Sequence, residues 1–241
     1  MGAVSLLAFF VLLFTRLNES EAKIEARSLK EDFKEMFVIA FKPLVLIFVA
    51  SIFLYVLVEQ SFSTWFPTFY EGILKTPASM AIQAGAILAG VTMIGRFMAG
   101  IILSRIKWIY VLSTCLIIVA IIVLTALPLA NSVTIDPTIS WINAPLVVYL
   151  MPLMGLFLAP IYPTLNSTIL SSLPKHMHSS MAGLIVVFSA LGGTTGSIIT
   201  GNIFEIYSGT TAFYFSLIPI TAIFIIIWVL HSILLKNSLK K

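Results

Sequence analysis

The sequence predicts an all-α membrane protein whose six spanning helices form two triplets related by an inverted repeat. Three observations carry this. The 241-residue chain is 59% hydrophobic, with 10% charged residues and a mean hydropathy of +1.07, whereas soluble domains carry about a quarter charged residues. Apolar runs of the ~20 residues needed to cross a bilayer recur along it. Two of those runs share a motif: Phe66-Pro67-Thr68 leading to Ile73-Leu74, and Tyr162-Pro163-Thr164 leading to Ile169-Leu170. Each motif reads as closing its segment, and each is followed by a run with a Gly-x4-Gly pair, Gly95 with Gly100 and Gly196 with Gly201. Proline-interrupted apolar segments at matching positions of two halves point to an inverted-repeat transporter.

The spans fall at 43–68, 80–104, 108–129, 144–170, 180–204 and 211–235. Without water to satisfy the backbone, apolar spans must be helices or closed barrels, and period-2 alternation, the mark of a barrel strand, is missing here. A shorter run at 2–15 has no basic residue before it and no small-x-small site after it, so it does not read as a cleaved signal. It is too short to span comfortably. It reads as a partial helix, the tail of a longer transmembrane helix. Segment 16–42 is the one long polar stretch, a cytoplasmic linker. Within it Ser28-Leu29-Lys30-Glu31 fits a capping box, and Leu29, Phe33 and Phe37 line one face of a short amphipathic helix. Pro43 then suits the first turn of the next helix, where its missing N–H costs nothing.

Charge orders the spans. Arg16, Lys23, Arg27, Lys30 and Lys34 share one connection, Arg105 and Lys107 the next on that side, then Lys175, then Lys236, Lys240 and Lys241; the opposite loops hold Lys75. Under the positive-inside rule the linker, the 105–107 and 171–179 loops and the C-terminus are cytoplasmic, as in an inner-membrane protein. The net charge of +4 is therefore a topology signal and not a nucleic-acid footprint. Three spans per unit turn the second unit over, so the Pro-Thr motif lies on opposite sides of the membrane in the two units.

Glu59 lies inside the first span, where a charge costs about 2.5–3.5 kcal/mol and must face a cavity or a partner. It reads as a substrate acceptor or proton-responsive carboxylate, or else as an interface residue or the structural partner of Arg96. Arg96 carries the same penalty and lies nine residues before Arg105, about 13 Å at helical rise. A structural pair or gate suits that depth better than direct substrate contact. Gln60, Ser63, Trp65, Gln83, Tyr162, Asn166 and Thr194 are candidate cavity-lining groups, since aromatic faces and amides suit a hydroxylated solute. Trp65 equally suits an interfacial belt, and Asn166 a cap or gate. Gly95, Gly192, Gly193, Gly196 and Gly201 read as helix-packing positions. His176-x-His178 lacks further ligands and reads as loop charge rather than a metal site. The lone Cys115 forms no disulfide framework. Catalytic triads, phosphate loops and paired carboxylates are not found, so neither an enzyme nor a cofactor is expected.

Gly100 and Arg105, with Ser104 between them, form a helix end and tight turn in which glycine permits close approach and arginine can reach terminal carbonyls. This stretch resembles the signature loop of the major facilitator superfamily, Gly-x-x-x-Asp-Arg, with Ser104 in place of the acid. The later counterpart, Gly201 to Glu205, has the acid without a following arginine. The resemblance covers nearly the whole chain, which looks like the C-terminal half of such a transporter, preceded by the end of helix six and the central linker. Tyr55-Val56-Leu57-Val58-Glu59, Trp65-Phe66-Pro67-Thr68, Gly95 to Gly100 and Gly155 to Thr164 look like the fucose/glucose–proton symporter family. That resemblance implies a sugar-like solute, proton coupling with the acids mainly in the other half, alternating access, and a partner: the N-terminal six-helix half or a second copy. Drug or organic-anion efflux by the same fold, or a truncated non-transporting membrane protein, are the competing readings.

Overall fold

The computed structural model describes residues 36–134 and 139–238, together with Leu6, Phe9, Phe10, Val11 and Leu13. The capping box and most of the partial helix and linker lie outside the described residues. Of the linker's apolar face, Phe37 is described, and it is exposed.

Among the described residues there is helix and no strand. Helices α1 (Pro43–Gly72), α2 (Ala78–Leu103) and α3 (Trp108–Asn131) form the first unit. The second begins with α4 (Leu146–Leu158) and α5 (Ile161–Ser172), two pieces of one span. After a 3₁₀ turn at Lys175–Met177 come α6 (His178–Ile206), α7 (Gly209–Phe215) and α8 (Leu217–Ser238), the last two again sharing a span. Six spans among the described residues are long and apolar enough to cross a membrane. This is the all-α, six-helix architecture that hydropathy predicts.

The Pro-Thr motifs do not close their segments. Pro67 lies inside α1, which continues to Gly72, and Pro163 lies in the first turn of α5. The span that does break is the second unit's first, at Ala159-Pro160. A proline inside a helix gives no N–H to the carbonyl four residues earlier and crowds it. Pro160, followed by Pro163, does this to Leu156 and Ala159, and the helix restarts at Ile161. Pro152 does the same to Val148, but there Tyr70 compensates. Its hydroxyl, on a fully buried side chain, donates to the Val148 carbonyl at 2.5 Å and ties the end of α1 to the start of α4.

Packing crosses between the units. α1 lies along α6, and α4 lies along α2, so the first span of each triplet packs on the second span of the other. Small residues make both crossings close. A Cβ on Gly192 or Gly196 would collide with the backbone of Phe53 or Leu57 on α1. A Cβ on Gly95 would collide with the Leu156 backbone, and one on Gly155 with Thr92 and Leu88. Ser61 reinforces the α1–α6 contact by donating to the Gly196 carbonyl at 3.1 Å. Gly100, expected to permit close approach, is exposed with nothing within 4 Å of where its Cβ would be. Gly201 meets the Trp65 ring rather than a helix backbone. The effective pairs are therefore Gly192 with Gly196, one turn apart, and Gly95 with Gly155 across a crossing.

The core runs along the bundle axis through Phe48, Ile52, Tyr55, Phe62, Phe66 and Phe69 of α1, Leu112 and Val119 of α3, and Met151 and Met154 of α4. Phe213 of α7 caps it, with its ring 4.8 Å from Phe62 and 4.7 Å from Phe69. α2 buries only a narrow stripe, including Ala81, Ala84, Leu88, Gly95 and Ala99, and leaves Ile82, Met93 and Phe97 exposed.

Candidate functional site

Glu59 occupies the middle of α1, and Arg96 lies on α2, seven residues before its end at Leu103. Arg96 Nη2 is 3.5 Å from Glu59 Oε1, with the two side chains 55% and 26% exposed respectively. The pair lines a cavity of about 400 Å³ between α1, α2 and α4. Ser63 stands one turn along from Glu59, and Thr92 one turn back from Arg96. Phe62, Leu88, Met93 and Met154 provide apolar walls, and Gly85 and Gly155 keep the lining low. Pro67 removes the helical donor of the Ser63 carbonyl, which leaves extra acceptor capacity at a lining residue.

Behind the ion pair lies a polar seam. Tyr55, one turn back from Glu59 and fully buried, has its hydroxyl beside the Glu59 carboxylate. The hydroxyl has no partner within hydrogen-bond geometry among the described residues. The Tyr55 ring is 5.9 Å from that of Tyr162 on α5, whose hydroxyl is 3.2 Å from Ser189 Oγ on α6. Two more buried oxygens on α5, Thr164 Oγ1 and Asn166 Oδ1, have no partner among the described residues. The chain thus places a carboxylate and a guanidinium at one cavity, with the hydroxyls of Ser63 and Thr92 on its lining. That chemistry can bind a small solute bearing hydroxyl groups.

Of the candidates read from sequence, Glu59, Ser63 and Arg96 share the cavity. The others lie elsewhere. Gln60 is exposed on the next face of α1, with its side chain packed over Gly193. Trp65 turns to α6: its indole N–H donates to the Ser197 carbonyl at 2.9 Å, and its ring stacks on Phe204 at 5.3 Å. Gln83, near the start of α2, accepts from the Trp141 indole at 2.6 Å. Thr194 is exposed on α6. Ser104 is exposed and its hydroxyl donates to the Ile101 carbonyl at 2.7 Å, a local helix-end contact. Arg105 is exposed at the α2–α3 turn.

Tyr55, Thr92 and Gly155 were not among the candidates. Helical spacing from the two charged residues carried the signal for the first two, since residues four apart share a face. Gly155 had no such marker, because its role depends on which helix crosses it.

No curated protein matches the chain. A family model described as Major Facilitator Superfamily matches residues 1–197, most of the chain, with four of the six spans found among the described residues and most of the fifth. With its six apolar spans, the chain is an integral, multi-pass membrane protein and belongs to the major facilitator superfamily, a family of membrane transporters.

Proposed function

We propose that the chain is the C-terminal half of a secondary transporter for a small, polar, sugar-like solute, coupled to protons and working by alternating access. The carrying observation is the Glu59–Arg96 pair at the wall of a cavity that opens out of the bundle. An intramembrane ion pair that keeps one side chain half exposed is costly unless it faces water or solute. Ser63 and Thr92 add hydroxyls beside it, and the apolar walls suit the faces of a sugar ring. The unpacked side of α2 fits a partner domain against which this half rocks, either the N-terminal six-helix half or a second copy. In this reading Lys42, Arg105, Lys107, Lys175 and Lys236 face the cytoplasm from the inner membrane.

The test is uptake of radiolabelled hexoses by cells co-producing this chain and a six-helix first half, with and without a proton gradient. Gradient-driven uptake that Glu59→Gln abolishes is expected. Uptake indifferent to the gradient, or to Glu59→Gln, overturns the proton-coupled sugar reading. A second reading, efflux of an organic anion, is favoured by Arg96 being the more exposed partner. It predicts that Arg96→Gln abolishes transport while Glu59→Gln enhances anion binding.

A further inference from the structure

A second cavity, of about 380 Å³, lies on a different face of α2, between α2, α3 and the α4–α5 break. Its walls are mostly apolar: Gly95, Ala99 and Ile102 of α2, Ile118 of α3, and Phe157 and Pro160 at the break. The break in the span opposite α2 borders the groove here. Thr114 and the Cys115 thiol are the polar side chains on its interior wall, no carboxylate, lysine, arginine or histidine among the described residues lines it, and Ile106 and Tyr110 border its end at the α2–α3 turn. Flanking Ile106 are Arg105 and Lys107, both exposed. Neither pairs with an acid among the described residues.

Along α3, Tyr110 to Ile118 covers about 12 Å at helical rise, close to the ~15 Å depth of one hydrocarbon leaflet. The groove thus runs about one leaflet deep, is mostly apolar, and ends beside two cations that have no acidic partner among the described residues. A soluble polar solute would find little to bond inside it. An acyl chain loses nothing on entering, and the cations attract a phosphate.

We propose that this groove holds one acyl chain of an anionic phospholipid, whose phosphate is bound by Arg105 and Lys107. The site is separate from the Glu59–Arg96 cavity. It gives the Gly100-to-Arg105 turn a role that does not need the acid replaced by Ser104.

The experiment is native mass spectrometry of the detergent-purified, delipidated chain titrated with dioleoylphosphatidylglycerol or dioleoylphosphatidylcholine. One phosphatidylglycerol is expected to be retained in preference to phosphatidylcholine. The double variant Arg105→Gln/Lys107→Gln should lower that preference by about thirtyfold, from about 1 kcal/mol for each cation. Ile102→Trp, which fills the groove from an exposed position, should reduce retention of both lipids, while Lys236→Gln changes neither. All three variants alter exposed or half-exposed side chains, and unchanged helical circular dichroism verifies their folding. A wild-type lipid preference in the double variant, or undiminished retention in Ile102→Trp, overturns the proposal.

Discussion

Gly196 on α6 rests against the backbone of Leu57 on α1, so closely that a methyl group there would strike the Leu57 carbonyl. Gly95 on α2 repeats the contact against Leu156 on α4. The two glycines head the paired motifs of the two sequence halves, and each touches the first span of the opposite unit. The echo in sequence is therefore an echo in packing: two equivalent crossings hold the triplets together.

Gly196→Ala and Gly95→Ala should each destabilise the fold by about 1–3 kcal/mol, the cost of overpacking against atoms that cannot move aside. Gly100→Ala, with open space around it, should leave stability unchanged or slightly raise it. Thermal unfolding in detergent, followed by intrinsic fluorescence, ranks the three. Equal effects at Gly100 and Gly196 would contradict the close crossing.

Tyr70→Phe removes the donor that stands in for the N–H missing at Pro152. The Val148 carbonyl is then unsatisfied in an apolar interior, at about 1–3 kcal/mol. Restoring an N–H with Pro152→Ala should recover most of that loss. A double-mutant cycle on thermal unfolding reads the coupling, which is zero if the two sites act independently.

The Glu59–Arg96 pair is partly exposed, so its net worth to folding is at most about 1 kcal/mol. Glu59→Gln and Arg96→Gln should hardly shift the unfolding temperature, while transport by the reassembled protein falls by more than about tenfold, as expected for intramembrane charges on a solute path. Large destabilisation with transport preserved would mark the pair as structural.

Lys75 and Lys175 should label from opposite sides of the membrane. In the structure they lie at opposite ends of the bundle. Lys75 follows the α1 end that Tyr70 ties to α4, and Lys175 adjoins Met177, whose sulfur is 3.9 Å from Lys42 Nζ at the start of α1. Single cysteines at each position, in a Cys115→Ala background, can be tested with an impermeant thiol reagent on sealed cells. Labelling of both from one side would break the inverted arrangement.

Some of this was readable from residues in order. A bilayer demands about twenty apolar residues per crossing, so hydropathy alone located six spans, and the fold class followed. The depth penalty on ionised groups singled out Glu59 and Arg96 before any contact was known. Tertiary structure decided which faces meet. A spanning helix is apolar toward lipid and toward protein alike, so no polar stripe marks its buried side, as it would in water. For that reason Trp65, Gln83 and Thr194 could not be sorted from Ser63 by composition. Nor could Gly100 be told from Gly95: both are glycines in an apolar helix, and only the position of α4 separates a helix crossing from open space. Residue chemistry and spacing determined that the described residues hold six helices long and apolar enough to cross a membrane, with a charge pair among them. The crossing of the two triplets, through backbone contacts that any side chain would block, decided where that pair meets and what surrounds it.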